Sequence, residues 1–493
     1  MTPQISLSLI EELQLSEDQF LIFLVSDSNQ LKSISAPIKK TISSSQLKKI
    51  FSLTKKGESR PISYNSLLVH LPDWQEPSDD QFINRQFIFQ FRQAIQLAQK
   101  NQPGNLLIVF LFQPNSTSLK IIIENALLAN YKFNRYQSSK EKKIRSIKII
   151  LPKRINTKTK QEIVSKSKIV AQAVNFSRDL ANIPGQEITP ARLVKITQKT
   201  FAYLPVKVKV FNWKKLQQLK MGGLLSVGSG SSEKPYLIIL EYLGCAKNKK
   251  IDLVFVGKGI TFDSGGLNLK PSSGMKEMWM DMSGGAAVIG AIRAISQLKI
   301  PINVVGLVPA AENMPSGSSY RPGDIINAYN GKTIEIVNTD AEGRVILADA
   351  LSYGEKKYQP KMIVDVATLT GAAVVALGQR AIALLTDQFK QEKQWRKIGQ
   401  RSGDFVWPLP TWPEYKEEIK GNFGDLANVG KTRYGGAITA ALFLKEFCPR
   451  TPWIHLDIAP TMVSIEGQGL AKGSSGSGVR YLIELADEYK QEA

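Results

Sequence analysis

From residue 237 onward the chain repeats one device: a short, unbroken apolar run that stops at a glycine or a polar residue. "LIILEYL" (237–243), "DLVFVGKG" (252–259), "INVVGLVPAAEN" (302–313), "MIVDVATLTG" (362–371) and "WIHLDIAP" (453–460) all have it. Runs this short and this continuously apolar predict core strands buried on both faces. Helical spacing fills the gaps, notably "SGGAAVIGAIRAISQL" (283–298) and "EGRVILADALSYGEKK" (342–357). Strands alternating with helices predict an open α/β sheet, whose ligands sit outside the carboxyl ends of its strands.

The first part of the chain has a weaker version of the same pattern. "FLIFLVS" (20–26), "NLLIVFLF" (105–112) and "SIKIIL" (146–151) read as strands, and "IIIENALLANYKF" as a helix. "NRQFIFQFRQAIQLAQKN" (84–101) is also helical, with Phe87, Phe91, Ile95 and Leu97 among its apolar positions. At 493 residues two domains are the natural expectation. The reading is therefore α/β throughout: a smaller N-terminal domain over 1–160, a connecting helix and linker over 161–185, and a larger domain over 186–493 with a mixed central sheet flanked by helices.

The net charge of +21 is concentrated. Residues 131–170 hold 13 Lys and Arg against 2 Asp and Glu, whereas residues 1–130 hold 12 against 11. Such a block could hold nucleic acid through its phosphates. It has few aromatics to stack bases, and the apolar "SIKIIL" interrupts its lysines, so a solvated basic face is the plainer reading. Cys245 and Cys448 sit in apolar contexts, which predicts buried thiols in a reducing compartment. The opening residues place Glu11 and Glu12 where a secretory leader would be apolar, and no apolar run reaches the length of a membrane span. A cytoplasmic enzyme without a membrane segment is the expectation.

Nearly every strand end carries a group able to do chemistry. "VFVGKGITFDSGG" supplies Lys258 and Asp263, "LNLKP" Lys270, "MWMDMSGGAAV" Asp281, and "NTDAEGR" Asp340, Glu342 and Arg344. The last three stand at every second position and would share one face in extended backbone. Singly each is weak: a lysine after a strand is usually solvated, and Asp281 before a helix reads as an N-cap. "GSGSS" (228–232) resembles a phosphate cradle but lacks the spacing of one, and reads as an ordinary loop. Jointly, four carboxylates at one sheet edge would repel unless cations neutralise them. Two divalent ions would do so, and oxygen ligands suit Mn²⁺, Mg²⁺ or Zn²⁺. With only His70 and His455 in the chain, a histidine-based zinc site is nearly excluded. Lys270 and Arg344 would remain as positive charges for a developing oxyanion. The residues point to metal-assisted hydrolysis.

"VGKGITFDSGGLNLKP", "MWMDMSGGAAV" and above all "NTDAEGRVILADAL" resemble the leucine (cytosol) aminopeptidase family. The likeness extends through "VNFSRDLANIPG", "VDVATLTGAAVVALG", "GGAITAALFLKEF" and "WIHLDIAP", covering residues 170–485 in the family's order. The resemblance implies a metal-dependent aminopeptidase with two divalent ions, Mn²⁺ or Zn²⁺, per subunit. Lys258, Asp263, Asp281 and Glu342 would hold the tighter ion, and Asp263, Asp340 and Glu342 the more exchangeable one. Lys270 is similar to the family's catalytic lysine, which polarises the scissile carbonyl and stabilises the gem-diolate. Arg344 resembles the arginine that holds a bicarbonate serving as general base. Met278, Thr368, Gly371, Ala459 and Met462 would line the pocket for a leucine-like first side chain. Peptide substrates and a homohexamer are implied in the same way. Rival readings are a nucleic-acid-binding protein using the 131–170 block and a two-metal phosphatase, though no phosphate nest is evident.

Overall fold

The computed structural model describes residues 4–9, 19–25, 49–50, 52–54, 59–63, 66–70, 81–101, 104–138, 143–153, 155–245 and 250–490. Glu11, Glu12 and parts of the basic block lie outside these. Contacts divide the chain into two units, Met1–Asn175 with Ser464–Lys472, and Phe176–Val463 with Gly473–Ala493. The division falls inside one helix, Thr157–Ala181.

Among the described residues the first unit has six strands: β1 (Gln4–Leu9), β2 (Gln19–Val25), β3 (Ser59–Ser63), β4 (Ser66–His70), β5 (Asn105–Phe110) and β6 (Ser146–Leu151). Their order is β1-β6-β5-β2-β4-β3, parallel except for the β3–β4 pair. Phe20 through Val25 are all buried, which is why that run shows no polar alternation. Helix Gln81–Asn101 buries Phe87, Phe91 and Ile95, spaced by four. Leu97 falls off that stripe and is 39% exposed, unlike its apolar neighbours. Asn115 caps helix Ser116–Ala129, accepting from Ser118 N at 2.7 Å. The basic block is split by β6, whose Ile147, Ile149, Ile150 and Leu151 are core residues.

In the second unit the main strands are β7 (Val206–Phe211), β8 (Tyr236–Leu243), β9 (Leu253–Gly257), β10 (Gly259–Asp263) and β11 (Asn303–Asn313). A small sheet follows with β12 (Ile325–Asn327), β13 (Thr333–Glu335) and β17 (Leu426–Ala427). β14 (Met362–Ala367), β15 (Ile382–Thr386), β16 (Val406–Pro408) and β18 (Trp453–Asp457) complete the large one. Its order is β16-β15-β18-β14-β9-β11-β8-β7, with β10 also paired to β11. β18, β14, β9, β11 and β10 run parallel, while β8 and β15 join them antiparallel. The sheet is thus mixed, with a parallel centre.

One face of that centre packs Val254, Val256, Leu307, Ile363 and Trp453 against helix Glu342–Tyr358 through Ile346, Leu347 and Ala350. Helix Ser283–Leu298 approaches the backbone closely. A Cβ on Gly284 would lie 2.0 Å from the Val366 carbonyl oxygen, so only glycine permits the contact. Among the described residues no helix is long and apolar enough to cross a membrane.

Candidate metal centre

The parallel centre of the sheet delivers polar groups to one edge, because parallel strands all end on the same side. Lys258 follows β9, Asp263 ends β10, Asn313 ends β11, Thr368 follows β14 and Asp457 ends β18. Lys258 is buried, with Nζ 2.8 Å from Asp281 Oδ2 and 2.7 Å from Glu342 Oε1. It also donates to the Thr368 carbonyl oxygen at 3.0 Å. Lys270 Nζ stands 2.9 Å from Asp263 Oδ2 and 2.5 Å from Asp340 Oδ1. One carboxylate oxygen from each of Asp263, Asp340 and Glu342 lies within 4.8 Å of the others.

Asp281 is not an N-cap. Helix Ser283–Leu298 is preceded by Met282 and has no side-chain cap. The Asp281 carboxylate instead accepts the Thr368 hydroxyl at 2.6 Å and faces Lys258. Nor is "NTDAEGR" extended: Asp340 lies in a turn, and Glu342 opens the helix that carries Arg344. Alternation therefore gives way to helical geometry, in which positions two apart diverge. Arg344 turns to donate from Nη1 to the Asn428 carbonyl oxygen at 2.7 Å. The "GSGSS" loop faces an acid, with Ser231 Oγ donating to Glu312 Oε2 at 2.6 Å.

The electrostatics are unbalanced. Four carboxylates meet two ammonium groups in a largely buried cluster. Burial first, and the neighbouring Asp263 second, push Glu342 up to about 8, although Lys258 pulls the other way. Burial likewise raises Asp281 to about 6 and raises Asp340. Lys258 and Lys270 are held above the ordinary lysine value: burial opposes their charge, and the surrounding carboxylates outweigh it. Burial lowers Arg344 to about 10. Asp281 Oδ2, Asp340 Oδ1 and Glu342 Oε1 are buried and face lysine ammonium groups at 2.8, 2.5 and 2.7 Å. Such oxygens are suited to a cation, which needs no donor geometry. The residues present fit a carboxylate-rich site for divalent ions.

The five expected pocket residues are distributed around the same loops. Met278, Ala459 and Met462 are half-buried and Gly371 is exposed. Thr368 is buried and engages its hydroxyl with Asp281, leaving only its methyl for a pocket. Cys448 is buried and Cys245 half-buried. Of the two histidines, His455 is wholly buried against Asp365. Sequence reasoning passed over Asn313, Thr339 and Asn428, which bond to the site residues or the turns carrying them. A signal existed for Asn313, a lone amide at the carboxyl end of a core strand.

Fold and site together define a two-unit α/β protein with a buried carboxylate cluster, suited to metal, at the carboxyl edge of a mixed sheet. Residues 175–483 match the catalytic domain of the cytosol aminopeptidase family. A probable cytosol aminopeptidase of Solibacter usitatus is 46% identical over 369 residues, covering 75% of this chain and 76% of that protein. Those of Aquifex aeolicus (46% over 368 residues, 74% and 73%) and Clostridium perfringens (41% over 374 residues, 75% and 76%) are similar. The chain belongs to the cytosol aminopeptidase family, whose members are metal-dependent peptidases.

Proposed function

We propose that this aminopeptidase removes leucine and similar apolar residues from the N-termini of peptides with two divalent ions, Mn²⁺ or Zn²⁺, per subunit. The observation that carries the reading is the buried cluster of four carboxylates facing only two ammonium groups. Lys258, Asp263, Asp281 and Glu342 would hold one ion, and Asp263, Asp340 and Glu342 the other. Lys258 can ligate only as the neutral amine, and a dication supplies the field that removes its proton. When bound, the ions supply Lewis acidity toward the scissile carbonyl and activate water.

The remaining roles belong to the chain's own charges. Its carboxylate neighbours keep Lys270 protonated, so it meets a developing oxyanion with a fixed positive charge. Arg344 keeps a buried Nε without a partner, which suits it to hold bicarbonate as the family's general base. Met278, Gly371, Ala459, Met462 and the Thr368 methyl offer apolar or small surface to the first side chain. A free α-amine fixes the first peptide bond in register; an internal bond has no such anchor. The resemblance also supports a cytoplasmic homohexamer; from the strand and helix pattern, the domains run over 1–160 and 186–493, joined through 161–185.

The test is hydrolysis of leucine p-nitroanilide by chelator-treated protein before and after Mn²⁺ or Zn²⁺ is restored. Activity should vanish, return with metal, and be absent on the N-acetylated substrate. Undiminished hydrolysis after complete metal removal would sink the two-ion reading.

A further inference from the structure

We propose that Asn313 is a positioning residue that locks the Asp263 carboxylate in one orientation and ties it to the turn carrying Asp340. The inference rests on the two-ion reading above. Asn313 is fully buried at the end of β11, and its Nδ2 lies 2.8 Å from Asp263 Oδ1 and 3.0 Å from the Thr339 carbonyl oxygen. Both neighbours are acceptors only, so the amide nitrogen must face them and the orientation is forced.

Its Oδ1 then has no hydrogen-bond partner. It sits over Gly266, where φ is +66° and a Cβ would come within 2.8 Å of that oxygen. A glycine at 266 makes room for an amide whose carbonyl gains nothing from the placement. An apolar side chain would avoid that burden, so the requirement is for the donor.

The donor completes a restraint. Asp263 Oδ1 accepts from Gly265 N at 2.9 Å as well as from Asn313, leaving Oδ2 to face Lys270 at 2.9 Å. A carboxylate with two donors on one oxygen cannot exchange its oxygens by rotation. The Asn313 backbone carbonyl also accepts from Ser264 N at 3.0 Å and Ser264 Oγ at 2.6 Å, gripping the residue next to Asp263. Across the site, Thr339 Oγ1 donates to the Gly265 carbonyl oxygen at 2.7 Å, and Tyr320 donates to the Thr339 carbonyl oxygen at 2.7 Å. One amide thus holds a carboxylate from the β10 turn and the backbone beside Asp340.

The experiment compares the wild type with N313A, which removes the donor, and N313L, which keeps the volume and offers no donor. Mn²⁺ dissociation constants are measured on chelator-treated protein by competition with an indicator chelator, and the native fold is checked by circular dichroism. Both variants should fold and bind Mn²⁺ about 10–100-fold more weakly. At saturating Mn²⁺, kcat for leucine p-nitroanilide should fall while KM holds. Wild-type Mn²⁺ affinity in both folded variants overturns the proposal. Loss of the native fold in both also overturns it, since the amide would then be a structural element. A wild type that takes up no Mn²⁺ removes the two-ion reading and this inference with it, and the wild-type titration identifies that case.

Discussion

The buried pair of Asp365 and His455 gives a prediction whose magnitude changes with pH. Both side chains are fully buried in adjacent strands, with His455 Nδ1 2.5 Å from Asp365 Oδ1 and Trp453 Nε1 donating to Oδ2 at 2.7 Å. Burial alone would lower the His455 pKa; the Asp365 charge and hydrogen bond reverse that, with Asp457 adding and Arg344 subtracting, so it is raised above 6.5. Its stabilisation is therefore fully present below about 6.5 and is lost as pH rises through the folded value. Asp365→Asn removes the charge, so burial then sets the sign and acid destabilises the variant. At pH 6 the substitution should cost about 3–5 kcal/mol, the cost of breaking a buried pair. At pH 9 neutral His455 can accept from the new amide, one hydrogen bond replacing the lost pair, and the cost should fall to about 1–3 kcal/mol. A loss of about 4 kcal/mol corresponds to roughly 6 °C in Tm for a cooperative unit of about 300 residues. Urea unfolding of both proteins at pH 6 and pH 9, followed by circular dichroism, reads the difference. An equal gap at the two pH values, or one below about 1 kcal/mol at pH 6, refutes the charged-pair argument.

The parts of the fold that can be read from the sequence are those where burial leaves a continuous apolar run. β9 and β14, "LVFVG" and "MIVDVA", lie inside the sheet and show it plainly. β7 does not: "VKVKVF" is an edge strand whose lysines alternate with its apolar residues, and it merges into the surrounding charge. β12, β13 and β17 have two or three residues each, too few for any period. For the site, acidic residue types near glycine turns identified the carboxylates that the fold brings together. Local reasoning about their backbone failed twice. Asp281 has the sequence context of a cap yet lies buried between Thr368 and Lys258, both distant in the chain. The alternating reading of "NTDAEGR" competes with the helical spacing of 342–357, and the helix, which opens at Glu342, prevails. Asn313 carries no charge, and its partner Asp263 is fifty positions away, so only the pairing of β10 with β11 reveals the contact.

Three further substitutions test the centre and its support. Glu342→Gln keeps the shape but removes a charge facing Lys258 at 2.7 Å, and should lower both bound metal, read by elemental analysis, and activity by at least about 100-fold. Normal metal content would show that Glu342 holds no ion. Asp349→Ala acts away from the chemistry. The Asp349 carboxylate accepts from Leu224 N at 2.9 Å and Tyr329 N at 2.8 Å, so truncation leaves one buried and one half-buried donor and should cost about 2–4 kcal/mol in urea unfolding. KM should hold, and a changed KM with unchanged stability would contradict a purely structural role. Lys270→Met separates binding from catalysis. Its ammonium sits 2.9 Å from Asp263 and 2.5 Å from Asp340, so the substitution also leaves those carboxylates without a counter-charge. Metal binding should therefore be retained or strengthened while kcat falls, because an interaction made only in the transition state lowers kcat without raising KM. Removing a single oxyanion donor costs about 100–1,000-fold in kcat, which sets the scale for this variant. A rise in KM with unchanged kcat would place Lys270 in substrate binding rather than in oxyanion stabilisation.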